Sequence, residues 1–186
     1  FDCKVPNTAT TSIGFSRQVV PDLAVSADYV HTRGRNLLRS RDMNTPDPAT
    51  RLRPNRGFVR VMAVETNANS WYDALQLQVT KRFSRRYQFT TAYTLAKAVR
   101  DTEDWNFSPS NQFDPAADKG PANSDVRHVL AVSSMVSFPF GFRTGIVGRA
   151  RSALPYTVTT GLDSNGDSFF TDRPAGVGRN SERGSS

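Results

Sequence analysis

The sequence contains a single cysteine and no long hydrophobic run, and both features limit what the chain can be. One thiol, Cys3, excludes an internal disulfide and a metal site built from several thiolates. The longest uncharged apolar stretch covers only residues 129–142 and is interrupted by serines and by Pro139, whereas a membrane-spanning helix needs about 20 residues. The sequence therefore predicts no transmembrane helix, and it leaves the redox compartment open.

Catalytic motifs are also missing. His31 and His128 are isolated, no serine lies in a Gly-x-Ser-x-Gly elbow, and there is no P-loop or dinucleotide fingerprint. The net charge is +7, but the basic cluster lacks interleaved aromatic residues on which bases could stack. We therefore expect neither an enzyme nor a nucleic-acid-binding protein.

Alternation of apolar and polar residues predicts long β-strands. Over residues 71–83 one face carries Leu75, Leu77 and Val79, while the other carries Gln76 and Gln78, which is the period of two that strands require. Weaker or similar alternation recurs over residues 13–19, 23–29, 87–95, 130–138 and 146–150. The result is about six long strands, with no convincing amphipathic helix.

Short and long connections alternate between these strands. The links near residues 20–22, 84–86 and 139–142 are tight, whereas residues 33–69, 99–125 and 161 to the end form long connections. Such alternation is typical of an antiparallel up-and-down sheet in an outer-membrane β-barrel, with short periplasmic turns and long extracellular loops. A soluble sandwich has no reason to place all of its long loops at one end.

Aromatic residues fall at two levels along the predicted strands, as in the interfacial girdles of a membrane barrel. From residue 71 to residue 83 the strand spans about 40 Å at ~3.3 Å per residue, or roughly 30 Å of height after a tilt of about 40°. The predicted girdle residues are Tyr29, Trp71 and Tyr93 near the long connections, and Phe83, Tyr87 and Phe138 near the short ones.

Strand length favours lipid over a soluble core as the surroundings of the apolar face. The predicted strands exceed the roughly five or six residues of a soluble strand and suit a tilted transmembrane strand of about 9–11 residues. Six strands cannot close a single-chain barrel, because the smallest such barrels have about eight. We therefore expect a segment of a larger transmembrane barrel, with a soluble all-β binding module as an alternative.

Several stretches resemble one receptor family. "SWYDALQLQVTKRFSRRYQFTTAYTLAKAVRD", "FDPAADKGPANSDVRHVLAVSSMVSFPFG", "DRPAGVGRNSERG" and "ADYVHTRGRNLLR" are similar to the barrel half of TonB-dependent outer-membrane receptors, especially the Oar-like group with an N-terminal carboxypeptidase-regulatory-like domain. The resemblance implies an outer-membrane barrel of about 22 strands around a plug domain. It also implies contact with lipid and lipopolysaccharide, and uptake of a ligand driven through TonB.

The sequence shows no plug, TonB box, signal peptide or final strand ending in an aromatic residue, and it begins with Phe1. We therefore expect residues 1–186 to be a fragment of such a barrel domain. An outer-membrane barrel used for adhesion or protein export is a further alternative. No residue narrows the identity of a transported ligand.

Charge is distributed unevenly among the long connections. Residues 33–60 contain eight arginines and two aspartates, whereas residues 99–125 contain six carboxylates and two cations. One hypothesis is that Arg33, Arg35 and Arg39, above the upper girdle, bind lipopolysaccharide phosphates through charge-assisted hydrogen bonds. The alternative is pairing between loops and plain solvation.

The last long connection resembles the start of a calcium loop. Asp163, Asn165 and Asp167 alternate, and Asp172 follows, which matches the first oxygen ligands of such a loop. The pattern then departs, because Pro174 occupies the twelfth position, where a bidentate carboxylate is required. Calcium is thus one hypothesis, and a polar loop with Asx turns is the other.

Overall fold

The computed structural model describes residues 3–184, which are mostly β-strand and irregular loop. Two single turns of 3-10 helix occupy Pro115–Asp118 and Pro139–Gly141, and no helix of the described range is long and apolar enough to span a membrane. The strands are β1 Asn7–Val20, β2 Leu23–Asp42, β3 Met62–Ser84, β4 Tyr87–Arg100, β5 Gly120–Pro121, β6 His128–Ser137, β7 Arg143–Arg151, β8 Pro155–Tyr156 and β9 Glu182–Arg183.

The six long strands form one antiparallel sheet in the order β1-β2-β3-β4-β6-β7. Each long strand thus pairs with the long strand next to it in sequence, while β5 extends the sheet beside β4 and β8 pairs with β9 separately. The sheet is open, with β1 and β7 at its edges. The predicted all-β, antiparallel up-and-down architecture with six long strands is confirmed.

Short and long connections alternate as predicted. Pro21 and Asp22 join β1 to β2, Arg85 and Arg86 join β3 to β4, and the turn with Pro139–Gly141 joins β6 to β7. The other rim carries residues 43–61, 101–127 and 152–184. Arg85 and Arg86 both have positive φ, at 50° and 74°, as a two-residue type I′ hairpin turn requires.

β2 and β3 are longer than the sequence pattern predicted, with 20 and 23 residues. The expected loop over residues 33–69 is wrong, because the two strands stay paired as far as Asp42 and Met62. The register shifts twice between Gly34 and Arg39, where Asn36 has a φ of 57°. Such irregularities reorder which side chains point to each face, so the simple alternation is lost although the strands continue.

The sheet has an apolar face and a polar face. Directly opposite residues share a face, and one row across the sheet contains Ala27, Leu77, Tyr93, Leu130 and Ala150. The adjacent row points the other way and contains Ser26, Gln78, Ala92, Ala131 and Arg149. The predicted alternation of residues 71–83 therefore extends across the whole sheet.

The apolar face is exposed and covers no hydrophobic core. Leu77 is 39% exposed and Ile13 is 74% exposed. Among residues 3–184 the buried hydrophobic side chains are four alanines, Ala68, Ala74, Ala96 and Ala122. A sheet of this kind is stable only where its apolar face meets an apolar environment.

Candidate ligand site at the rim of the sheet

The long connections pack together at one rim into a polar structure, called here the loop cap, which comprises residues 43–61, 101–127 and 152–184. Its fully buried side chains include Gln112, Asn44, Thr102, Asp118, Asp125 and Asp167. The side-chain oxygen of Gln112 accepts a hydrogen bond from the backbone N–H of Asp42 at 2.9 Å, and the backbone N–H of Gln112 donates to Asp167 Oδ2 at 3.0 Å. Because buried polar groups need partners, such bonds fix the loops relative to one another.

Arg179 is the centre of one buried network in the loop cap. It is 4% exposed, forms an ion pair with Glu103, and donates to the carbonyls of Asp118 at 3.1 Å and Pro121 at 3.3 Å. Burial lowers the pKa of Arg179, and the nearby carboxylates oppose that effect. Gly120 permits the close approach, since a Cβ there would lie 2.4 Å from Arg179 O.

Two more buried carboxylates tie the last connection to the preceding one. Asp118 pairs with Arg173, and Asp125 pairs with Arg183 and, at 3.2 Å, with Arg127. Both carboxylate side chains are only 1% exposed. Buried charges persist where they are paired and hydrogen-bonded, so the loop cap is a preformed surface.

A cavity of about 640 Å³ lies between the loop cap and the polar face of the sheet. Tyr72 and Trp105 give it aromatic walls, and Arg100, Glu103 and Asp104 give it charged groups. Its volume and its mixture of apolar surface with a few polar groups are typical of small-molecule sites. The sheet residues beneath it include Thr8, Thr32, Ser70 and Ala98.

The charged groups of this cavity are positioned by local contacts. Arg100 Nη1 lies 3.8 Å from Glu103 Oε2, and Glu103 Oε1 accepts a hydrogen bond from Asn123 N at 2.9 Å. Asp104 Oδ1 accepts from the backbone of Asn106 at 2.7 Å. Trp105 is 61% exposed, so its ring offers a large amphipathic surface to a ligand.

A second cavity of about 490 Å³ lies on the same polar face, toward the short turns. Arg82, Gln88, Thr90 and Ser133 are among its lining residues. The polar face of the sheet thus has one cavity near each end of the strands.

Residues 2–186 match a family model described as an outer membrane beta barrel domain. The chain belongs to this family. No curated protein and no solved structure matches the chain significantly. An outer membrane beta barrel domain lies in the outer membrane, where its apolar face contacts lipid and its polar face lines the lumen.

Membership of the barrel family also indicates which rim of the sheet faces the cell exterior, and it excludes a soluble binding module. Short turns of such barrels face the periplasm and long loops face the cell exterior, so the loop cap is extracellular. The 640 Å³ cavity then lies at the extracellular mouth of the lumen. A soluble all-β binding module is excluded by membership of an outer-membrane family.

The structure separates the three arginines that were predicted to bind lipopolysaccharide phosphates. Arg33 and Arg35 are exposed, and Arg33 Cζ lies 5.9 Å from the ring centroid of Trp71. Arg39 is 5% exposed and donates to Asn67 Oδ1 at 2.8 Å. Arg39 therefore belongs to the internal contacts of the rim, and the phosphate hypothesis continues with Arg33 and Arg35.

Trp71, Phe83, Tyr87 and Phe138 lie toward the ends of the membrane-facing strands, whereas Tyr29 and Tyr93, predicted for the upper girdle, lie within the apolar rows of the sheet. Trp71 pairs with Arg33, Tyr29 pairs with Leu75, and Tyr93 lies in the row of Leu77. Phe83, Tyr87 and Phe138 are exposed near the short turns. Their role as interfacial anchors stays a prediction.

The residues of the predicted calcium loop accept backbone N–H groups. Asn165 Oδ1 accepts from Asp167 N and Asp167 Oδ1 accepts from Phe169 N, both at 2.9 Å, which are Asx turns. Asp163 and Asp172 also accept backbone donors, at 3.0 Å and 2.9 Å. Burial raises the pKa of the Asp167 carboxyl. Within residues 3–184 no three His, Cys, Asp or Glu side chains are arranged to hold a metal ion.

Sequence reasoning missed Tyr72, Trp105 and Lys119 as site residues. The alternation assigns Tyr72 to the polar face, but it does not place a cavity above it. Trp105 stands among polar residues of a long connection, and an isolated tryptophan there is the available signal for a binding surface. Lys119 Nζ lies 4.2 Å from the ring centroid of Trp71, a contact that depends on the folding of residues 101–127.

Proposed function

We propose that this barrel domain is part of a TonB-dependent receptor of the Oar-like group and serves energy-coupled uptake of a ligand. Support comes from membership of the barrel family and from the resemblance of residues 27–39, 70–101, 113–141 and 172–184 to such receptors. An open sheet edge is not stable in lipid, so further strands must close the barrel. The proposal also requires a plug domain inside the barrel and TonB as partners.

The cavity at the extracellular mouth is the observation that carries the proposal. It lies on the lumen-facing side of the sheet, so a ligand held there would already be on a path through the barrel. Tyr72 and Trp105 can stack on a ligand, while Arg100 and Asp104 can make directional polar contacts. The proposal assigns binding to these groups and no catalysis.

Growth of a strain that lacks the complete gene tests the proposal. The strain is grown on a panel of sole carbon, nitrogen and iron sources, beside a strain that lacks TonB. If the protein is a TonB-dependent receptor, at least one growth defect of the deletion strain should also occur in the strain that lacks TonB. The intact gene should repair that defect in the deletion strain. Absence of any shared defect would contradict the proposal.

Variants of the cavity then test where the ligand is captured. Trp105→Ala and Tyr72→Ala should repair the shared defect poorly, because each removes an aromatic wall of the cavity. Phe170→Ala is the matched control, since Phe170 is an exposed aromatic residue of the loop cap, 68% exposed, outside the lining of that cavity. Equal repair by all three variants would exclude the cavity as the capture site.

The adhesion or export alternative predicts a different pattern of phenotypes. Exposed apolar residues of the loop cap, such as Trp105, Leu162 and Phe170, could contact a macromolecule outside the cell. This alternative would be favoured if the deletion strain lost surface attachment or secreted protein but shared no growth defect with the strain that lacks TonB.

A further inference from the structure

The 640 Å³ cavity at the extracellular mouth, called here the mouth cavity, has a guanidinium group that is free to bind an anion. Glu103 forms an ion pair with Arg179, which is 4% exposed, whereas Arg100 Nη1 lies 3.8 Å from Glu103 Oε2. A buried cation needs its charged partner, so Glu103 is committed to Arg179. The Arg100 side chain is 39% exposed, and its Nε and Nη2 make no hydrogen bond within residues 3–184. Arg100 is therefore available to a ligand.

Asp104 supplies the opposite charge in the same cavity. It is exposed and forms no ion pair with any residue that the structure describes. Its Oδ1 accepts a hydrogen bond from the backbone N–H of Asn106 at 2.7 Å, whereas its Oδ2 accepts none from residues 3–184. The mouth cavity thus offers one available carboxylate beside one available guanidinium.

The backbone fixes both charges before a ligand arrives. Arg100 is the last residue of β4. Asp104 begins a turn that is closed by a hydrogen bond from Phe107 N to Asp104 O at 3.2 Å, and Ser40 Oγ donates to Trp105 O at 2.8 Å. Groups that are already held in place lose less conformational entropy when a ligand binds. The charges are therefore suited to a ligand that carries both signs at once.

Aromatic side chains complete the mouth cavity. Tyr72 and Trp105 line it, and Trp105 is 61% exposed, so an apolar group of a ligand can pack against their rings. Trp71 also lines the cavity, but Lys119 Nζ lies 4.2 Å from its ring centroid. A protein cation thus already lies against that ring, which disfavours a ligand of purely positive charge.

We infer that the mouth cavity binds zwitterions that carry an α-ammonium and an α-carboxylate group, namely free amino acids or short peptides with apolar side chains. Arg100 donates hydrogen bonds to the carboxylate, and Asp104 accepts them from the ammonium group. Tyr72 and Trp105 pack against the apolar side chain. The inference names the ligand class of the proposed receptor and rests on that proposed function.

Calorimetric titration of the purified complete protein in detergent tests the ligand class. The probes are L-phenylalanine, the dipeptide phenylalanyl-leucine, and the N-acetylated and C-terminally amidated forms of each. At least one of the two zwitterions should bind, and its blocked forms should bind about tenfold more weakly or less, since each loses a hydrogen bond between charged groups. Binding of the amino acid assigns free amino acids as ligands, and binding of the dipeptide assigns peptides.

Two variants separate the roles of the charges from general damage to the cavity. Asp104→Asn should lower the affinity for the zwitterion by about tenfold or more but leave that for the N-acetylated form unchanged. Arg100→Gln should weaken the zwitterion similarly and leave the amidated form unchanged. Asp114→Asn and Arg56→Gln, at exposed positions outside the cavity lining, are the matched controls and should bind like the wild type.

Three results would overturn the inference. They are no heat of binding with either zwitterion at millimolar concentrations, blocked forms that bind as tightly as the zwitterions, and equal weakening of every probe by both variants. The titration does not involve TonB, so each of these results removes the ligand class alone. The growth comparison with the strain that lacks TonB decides separately whether the barrel serves uptake.

Discussion

Lys81 Nζ lies 2.7 Å from Asp22 Oδ2, which joins β3 to the first short turn of the barrel. The ammonium also lies 2.5 Å from Ser84 Oγ and 4.4 Å from the ring centroid of Tyr87. Lys81 pairs with Leu23 and so belongs to the lipid-facing side of the sheet. Its charge reaches the periplasmic rim while its stem covers apolar surface, as expected of a lysine near a membrane boundary.

The Lys81 and Asp22 pair predicts non-additive effects on stability. Asp22→Asn should lower the free energy of unfolding, because the ammonium of Lys81, which is 9% exposed, loses its charged partner. Adding Lys81→Met should recover much of the loss, since methionine suits a lipid-facing position. Urea midpoints of the complete protein in phospholipid vesicles measure both effects. Simple addition of the two single effects would show that the groups are not coupled.

The same pair predicts a loss of stability in acid. Lys81 and Ser84 lower the pKa of the Asp22 carboxyl from 3.8 to about 2. A carboxyl with a lowered pKa stabilises the folded state above its unfolded pKa, and this contribution is lost as the pH falls toward the folded pKa. The wild type should therefore lose stability between about pH 4 and pH 2 by more than Asp22→Asn does. Identical pH profiles of the urea midpoint in the two proteins would contradict this.

Removal of Arg179 should loosen the loop cap and leave the strands intact. Arg179→Met removes the buried cation beside Glu103, which keeps only Arg100 at 3.8 Å, and it removes donors from the carbonyls of Asp118 and Pro121. Breaking a buried pair in this way costs about 3–5 kcal/mol. Hydrogen exchange should show faster opening of residues 101–127 and unchanged protection of β3 and β4. Arg56→Met, at an exposed position, is the control and should leave exchange unchanged.

Neighbouring residues of β3 should respond oppositely to the same charge. Leu77→Arg places a cation in lipid and should cost about 2–4 kcal/mol of stability if it lies near the bilayer midplane. Gln78→Arg places the cation in the lumen and should cost much less. Urea titration in vesicles compares the two variants directly. A larger loss for Gln78→Arg would mean that the faces are assigned the wrong way round.

The sheet could be predicted from the sequence because strand alternation and tight turns are both visible within short stretches of residues. Alternation over residues 71–83 assigns each side chain to a face, and tight links such as Arg85 and Arg86 identify the hairpins. Both signals survive because a strand that separates lipid from lumen must alternate strictly. Beyond Gly34 the register between β2 and β3 shifts twice, so alternation in the sequence no longer shows that the two strands continue.

The loop cap and its cavity were not predictable in the same way. Arg179 and Glu103 are 76 residues apart in sequence, and Asp125 and Arg183 are 58 apart. No period connects such pairs, since the irregular backbone between them decides which charges meet. The sequence showed opposite charges in neighbouring loops, but it did not show that Arg39 would turn inward while Arg33 stayed exposed.

Site-directed labelling in intact cells tests the membrane orientation most directly. In the complete protein with Cys3→Ser, single cysteines replace Phe170 in the loop cap or Arg86 in the short turn, and a membrane-impermeant maleimide is added. Cysteine at position 170 should react in intact cells, and cysteine at position 86 should react only after the outer membrane is permeabilised. Reaction of position 86 in intact cells while position 170 stays protected would contradict an outer-membrane barrel with the loop cap outside.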